Sequence, residues 1–119
     1  MVYSAELADE HALDPIQAGD VLVLAGEPYN VFSVGIDGYG FYEMQADGVG
    51  AYFLDSLYSD IDSLIDSAGM HSVHFGKYHR LLSKRFPFAV YYRVEEQTAL
   101  VYAVLDCRRR PAWIRKRLS

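Results

Sequence analysis

Residues 81–111, LLSKRFPFAVYYRVEEQTALVYAVLDCRRRP, decide the fold. Two runs rich in aromatic and β-branched residues are separated by the polar stretch EEQT at 95–98, a pattern that predicts a β-hairpin. Pro87 stands near the start of the first run, where a missing backbone N–H is tolerated. In the second run both alternating faces are apolar, so we expect a central strand that is covered on both sides.

The segments that flank this hairpin extend the sheet and then end it. Residues 78–84 have the alternation of a further strand, which makes a three-stranded antiparallel meander. Pro111 can open a helix at its first turn, so PAWIRKRL at 111–118 predicts a short basic helix. The sheet therefore ends at three consecutive arginines, 108–110, that lie just before this helix.

Upstream of the meander, residues 49–67 have apolar side chains at helical spacing and aspartates on the opposite face, which predicts an amphipathic helix. DVLVLA at 20–25 predicts a short strand. Residues 31–46 are ambiguous, because their three glycines each cost a helix about 1 kcal/mol relative to alanine.

The alternation also predicts which side chains form the core between the sheet and the helix. We expect one face of the hairpin to pack on the apolar stripe of residues 49–67. The sheet residues of this predicted core are Phe88, Val90, Tyr92, Leu100, Tyr102 and Val104, and its helix residues are Leu54, Leu57, Ile61 and Leu64.

Length and composition place the chain among small globular proteins. At 119 residues, half of them apolar, it fits one domain. No apolar run approaches the ~20 residues of a membrane span. The N-terminus does not have the pattern of a signal peptide. Cys107 is the single cysteine, so no intrachain disulfide can form, and we expect a reducing cytoplasm and no membrane partner.

The charge is divided between the two parts of the chain. All eleven Lys and Arg residues lie at or after Lys77, whereas thirteen of the sixteen acidic residues lie before it. Such a division indicates a polyanionic partner for the basic part. The alternative is that the two parts neutralise each other within one fold.

Other candidate chemistry is weak. His71 and His74 are three residues apart, with His79 nearby, but the pattern there is strand or loop and no Cys or acidic cluster joins it. Cys107 has no His close in sequence to make it a catalytic thiol. We therefore expect no metal and no cofactor.

Three stretches resemble the RelE/ParE family of bacterial type II toxin–antitoxin toxins, which includes plasmid stabilisation proteins: FYEMQADGVGAYFLDSLYSDIDSLIDSAG at 41–69, KRFPFAVYYRVE at 84–95 and VYAVLDCRRRPAWIRKRL at 101–118. The resemblance implies an α+β fold, in which a helical hairpin packs on a small antiparallel sheet. That sheet consists of an N-terminal strand and a three-stranded meander, followed by a short C-terminal helix. Residues 20–119 would form this toxin domain, and residues 1–19 an acidic N-terminal extension.

The resemblance implies a cytoplasmic, growth-inhibiting toxin that is neutralised by a cognate antitoxin, in a toxin–antitoxin hetero-oligomer. Its target would be DNA gyrase, as for ParE-like members, or the ribosome and its mRNA, as for RelE-like endonucleases. The RelE-like ribonuclease residues are incomplete, because Ala89 stands where that branch has an arginine and no Tyr or His follows Arg110. The ParE-like interpretation is therefore favoured, catalytic residues are unknown, and whether the protein is an enzyme stays open. A non-toxic basic module that binds protein or nucleic acid is a further alternative.

The sequence and the family resemblance together indicate two sets of site residues. The basic set would bind the target: Lys84, Arg85, Arg108, Arg109, Arg110 and Trp113. The aromatic set would bind the antitoxin in a groove between the helical hairpin and the sheet: Phe41, Tyr42, Phe53 and Tyr58.

Overall fold

A six-stranded sheet forms the centre of the protein, for which a computed structural model describes residues 3–6, 21–24 and 29–118. The strand order is β1-β2-β6-β5-β4-β3. The strands are β1 Tyr3–Glu6, β2 Val21–Leu24, β3 Val73–His74, β4 Tyr78–Leu82, β5 Phe88–Glu95 and β6 Thr98–Asp106. The four helices among the described residues are α1 Val31–Glu43, α2 Val49–Asp62, α3 Leu64–Ser67 and α4 Pro111–Leu118.

Strands β4, β5 and β6 form the predicted antiparallel meander. The β5–β6 connection is the two-residue turn Glu96–Gln97, in which both residues have positive φ, at 50° and 66°. This conformation matches the right-handed twist of the paired strands. The predicted N-terminal strand is also present as β2, but it runs parallel to β6, with Val21 opposite Ala99. The sheet is therefore mixed, with the antiparallel meander as its larger part.

Two short edge strands were not predicted. At one edge β1 pairs parallel to β2, and at the other β3 pairs antiparallel to β4. Strand β1 belongs to the acidic extension predicted over residues 1–19, and the remainder of that extension lies outside the described residues. The division into extension and toxin domain stays a prediction.

The helical hairpin consists of α1 and α2. The predicted helix over 49–67 is confirmed, with a break at Ser63 between α2 and α3. The ambiguous segment 31–46 forms α1, which is capped by the Asn30 side chain as it accepts hydrogen bonds from the backbone N–H groups of Phe32 and Ser33. Such a cap satisfies donors that a helix N-terminus otherwise leaves free.

The glycines of the hairpin let its helices approach each other closely. A Cβ on Gly38 would lie 2.3 Å from Cε2 of Phe53, and a Cβ on Gly50 would lie 2.7 Å from the carbonyl oxygen of Tyr39. Neither position has room for a side chain. Helix packing thus explains Gly38 among the glycines that make α1 ambiguous in the sequence, and it offsets the low helix propensity of that glycine.

The sheet is covered on both faces, as the pattern of β6 predicted. On one face the hairpin packs over a core that includes Val21, Val31, Phe53, Leu57, Ile61, Leu64, Phe88, Val90, Tyr92, Ala99, Val101 and Val104. On the other face α4 packs over a smaller core of Tyr78, Ala89, Tyr91, Ala103, Leu105, Ile114 and Leu118. The two cores fix the positions of α1 and α4 relative to the end of β6.

A β-bulge changes the predicted core in β6. The register shifts between Tyr91 and Tyr92, so that Tyr92 pairs with Val101 rather than with Tyr102. Tyr102 is the extra residue of the bulge, and the β6 side chains that precede it therefore point to the opposite face from the one that simple alternation predicts. Val101 therefore joins Val104 under the hairpin, whereas Tyr102 packs on the α4 side. The prediction that Leu100 and Tyr102 face the hairpin was wrong for this reason.

The glycine packing predicts opposite effects for two alanine substitutions in α1. Gly38→Ala should lower the free energy of unfolding, because its methyl group would meet the Phe53 ring. Gly40→Ala is the matched control, since nothing lies within 4 Å of its Cβ position. It should raise the free energy of unfolding by up to ~1 kcal/mol through helix propensity alone. Urea unfolding of both variants measures the difference, and equal effects would contradict the described hairpin.

Candidate functional site

A groove of about 490 Å³ lies between α1 and the end of β6, and we call it the α1–β6 groove. Its apolar walls come from α1, α2 and the sheet, and two arginines close one end. The lining residues are Tyr29, Val34, Asp37, Gly38, Phe41, Tyr42, Phe53, Pro87, Phe88, Val104, Leu105, Asp106, Arg108 and Arg109. An open, largely apolar concavity with a few polar groups is the usual form of a binding site.

Packed aromatic rings form one side of this groove. The Tyr42 ring lies 5.1 Å from that of Phe53 and 4.8 Å from that of Phe86, measured between centroids. Phe41 packs edge-on against Tyr42 at 5.0 Å, yet remains 60% exposed. Because the rings hold one another in place, they offer a partner a preformed apolar surface at low entropic cost.

Asp106 holds Arg108 at the mouth of the groove. Its Oδ1 accepts hydrogen bonds from the backbone N–H of Arg108 at 2.8 Å and from Nε at 3.0 Å, and its Oδ2 accepts one from Nη2 at 2.8 Å. The Arg108 side chain nevertheless remains 70% exposed. The turn after β6 thus fixes the guanidinium while leaving it available to a partner.

These contacts set the protonation states at the groove. The hydrogen bond from Arg108 lowers the pKa of Asp106 below its usual value, against the opposing effect of burial. Burial raises the pKa of Tyr42, and the positive charge of Arg108 opposes that change. Near neutral pH the groove therefore presents an ion pair and a neutral phenol.

The predicted basic set is brought to one end of the sheet. Phe88 pairs with Asp106, and the backbone N–H of Cys107 donates to the carbonyl of Pro87 at 3.1 Å. The loop that carries Lys84 and Arg85 therefore lies beside the turn that carries residues 108–110.

Within that end of the sheet, the basic side chains have different surroundings. Arg85 lies over the Tyr52 ring at 5.8 Å. Arg85 and Lys84 also face Asp60 of α2. Burial raises the pKa of Asp60, and the Ser83 hydrogen bond and the charges of Arg85 and Lys84 oppose that change. Arg109 lies 4.7 Å over the Trp113 ring, and Arg110 is exposed. Only Arg108 and Arg109 of the set line the groove.

The predicted aromatic set is divided. Phe41, Tyr42 and Phe53 line the α1–β6 groove together with the arginines. Tyr58 lies instead in a second, apolar pocket of about 400 Å³ between α1 and α2. The sequence treated the basic and aromatic sets as separate surfaces, whereas the structure places two arginines and three aromatic residues in one groove.

Among the residues missed in the sequence, Asp106 and Tyr29 line the groove and Phe86 supports it. Phe86, which supports Tyr42, follows Arg85 directly and could have been included as the aromatic neighbour of a basic pair. Asp106 stands two residues before Arg108, the spacing at which an aspartate side chain caps a turn. Tyr29 precedes α1, and nothing in its sequence context indicates a place in the groove.

His71 and His79 lie away from the groove arginines. The hydroxyl of buried Tyr92 is hydrogen-bonded to Nδ1 of His71, and the His79 ring stacks on Tyr92 at 5.1 Å. Tyr92 lies four residues, or about 13 Å, along β5 from Phe88, the end of the strand at which the groove arginines lie. Within residues 3–6, 21–24 and 29–118, no group of three or more His, Cys, Asp or Glu is arranged to hold a metal ion. The same residues contain no helix of the length and apolar character that crossing a membrane requires.

The structure resembles a solved chain described as "Chromosomal ParDE TA system from P. aeruginosa". The two have a TM-score of 0.56 and are 11% identical, and the match covers 86% of this chain and 92% of that chain. No protein-family model matches the sequence, and no curated protein matches it either. At this identity the likeness shows the fold. The sequence resemblance to the RelE/ParE family and the predicted α+β RelE/ParE-like fold are confirmed at that level.

The Asp106–Arg108 pair predicts a measurable pH dependence. Because the folded-state pKa of Asp106 is lowered, the pair contributes stability above pH 3.8, its ordinary value, and this contribution is lost as the pH falls through the lower folded pKa. In an Arg108→Gln variant, the Asp106 pKa should return toward its ordinary value in a carboxyl NMR titration. Arg110→Gln is the control and should leave it unchanged. An Asp106 pKa that is the same in wild type and Arg108→Gln would contradict the pairing.

Proposed function

We propose that this protein is the toxin of a bacterial type II toxin–antitoxin system, acting in the cytoplasm, of the ParE-like kind that is directed at DNA gyrase. The observation that carries the proposal is the α1–β6 groove, in which Arg108 and Arg109 stand beside the aromatic residues of α1 on a ParE-like fold. The solved structure it resembles is itself part of a ParDE toxin–antitoxin system.

The groove suits the kind of antitoxin segment that the family resemblance implies. Such a segment is extended and carries both acidic and apolar side chains. Phe41, Tyr42 and Phe53 would receive its apolar residues, and the exposed guanidinium of Arg108 would pair with a carboxylate. A segment bound in this way would also cover Arg109, so the antitoxin would neutralise the toxin by occupying the surface that acts on the target.

Three features support an action without RNA cleavage. Ala89, at the position where ribonuclease members carry an arginine, is fully buried beneath α4. His71 and His79 surround Tyr92, away from the groove arginines. Tyr42 is beside Arg108, but burial raises the pKa of the Tyr42 phenol, which makes Tyr42 a poor general base. The groove is therefore suited to binding, with Arg108 and Arg109 as the contacts to the target.

Expression of the protein in a bacterium that has no cognate antitoxin tests the proposal. The wild-type chain should arrest growth, and an Arg108→Ala, Arg109→Ala variant should not, since it removes both groove arginines. These side chains are exposed, so the variant should keep its melting temperature within a few degrees of wild type. Purified wild-type protein should inhibit DNA gyrase supercoiling in vitro, and the variant should lose this effect.

Lys77→Ala is the control for charge, because Lys77 is exposed and lies before β4, at the end of that strand remote from the groove. It should remain as toxic as wild type. Normal growth with folded wild-type protein in the cells would refute a toxin function. Growth arrest with active gyrase and mRNA cut in ribosomes would instead assign the RelE-like activity.

Antitoxin binding can be tested separately on α1. Phe41→Ser should weaken binding of the protein encoded by the adjacent reading frame at least about tenfold, because it removes an aromatic contact from the groove. Met44→Ser is the matched control, since Met44 is 90% exposed and follows the same helix but does not line the groove. Isothermal titration calorimetry measures both affinities. Equal losses for the two variants would show that the antitoxin binds elsewhere.

A further inference from the structure

The exposed face of α4 and the turn before it form a second basic surface, which adjoins the groove at Arg109. We define the α4 surface by Arg109, Arg110, Trp113, Lys116 and Arg117. Residues 107–118 contain six arginines and lysines and no acidic residue. The whole chain has a net charge of −5, so the positive charge is local. This surface therefore indicates a specific site for an anionic partner rather than attraction of the whole protein to anions.

Aromatic rings, rather than carboxylates, hold two of the three arginines of this surface, Arg109 and Arg117. The guanidinium carbons of Arg109 and Arg117 each lie 4.7 Å from the centre of the Trp113 ring, and Arg117 also lies 5.7 Å from that of Tyr29. Tyr29 in turn packs edge-on against Trp113 at 5.5 Å. Cation–π stacking orients a guanidinium without neutralising its charge. Arg93 and Arg108 form ion pairs with carboxylates, whereas Arg109, Arg110, Lys116 and Arg117 form none with the residues that the structure describes.

A membrane surface is a poor partner for α4. A helix that lies on a bilayer must insert an apolar face. Here that face is already used, because Ile114 and Leu118 are buried against the sheet. The Tyr78 hydroxyl also donates a hydrogen bond to the carbonyl of Leu118 at 2.8 Å, which fixes the end of the helix. The side of α4 that remains exposed is cationic.

We propose that the α4 surface binds the phosphodiester backbone of a nucleic acid. The planar fork of arginine matches phosphate oxygens, and the half-exposed Trp113 supplies an aromatic group beside the cations. The eight residues of α4 extend about 12 Å, enough to follow three or four nucleotides of a strand. An acidic polypeptide is disfavoured, because the surface is the outer face of a helix and has no apolar groove for its side chains. This binding is independent of the proposed toxin function.

Fluorescence anisotropy with labelled oligonucleotides tests the proposal on the full chain. Wild-type protein should bind a mixed-sequence strand of about 20 nucleotides at low salt, with an affinity that falls steeply as salt is added. A Lys116→Gln, Arg117→Gln variant should bind at least about tenfold more weakly, and its salt slope should fall by about two. Neither side chain lines the groove, so this variant should retain growth arrest and its melting temperature.

A Lys77→Gln, Lys84→Gln variant is the charge-matched control, because both residues are exposed and lie outside α4. It should bind the oligonucleotide as wild type does. Parallel titrations with single-stranded DNA, single-stranded RNA and duplex DNA determine which backbone is preferred. No binding by wild type at low salt, an equal loss in the control, or equally effective competition by poly-glutamate or anionic vesicles would overturn the proposal.

Discussion

The burial of β6 on both faces is the constraint on which the rest of the structure depends. This strand pairs with β2 on one side and with β5 on the other. Its side chains are apolar on both faces, so each face requires a covering layer to remove it from water. The helical hairpin covers one face and α4 covers the other. Because α4 must follow β6 directly, the turn between them carries Arg108 to Arg110 out of the sheet, next to α1.

Periodicity predicted β4, β5, β6 and α2, and Pro111 predicted the start of α4. What could not be predicted depends on contacts between distant residues. The glycines of α1 argue against a helix until the Phe53 ring is placed against Gly38. The bulge that puts Tyr102 on the α4 side is set by pairing with β5, and the alternation within β6 does not reveal it.

The same distinction applies to the candidate site. Its cations and aromatic residues could be named from composition and from the family resemblance, but their grouping could not. Phe41 and Arg108 are 67 positions apart in the chain, and both line the groove because α1 lies beside the end of β6. Tyr58 is aromatic like Phe53 and belongs to the same apolar stripe of α2, yet it lines the second pocket. Helix orientation, which sequence periodicity leaves open, decides which side chains share a groove.

The arginines of the basic part of the chain are positioned by two different kinds of partner. Arg108 is positioned by Asp106, whereas Arg109 and Arg117 are positioned by Trp113. An ion pair orients its arginine but reduces the charge that a partner encounters. An aromatic ring orients the guanidinium at lower desolvation cost and leaves its hydrogen-bond donors largely free. The aromatic residues around α4 therefore act as supports for charge as well as core side chains. This explains how a chain with an excess of acidic residues keeps the α4 surface strongly basic.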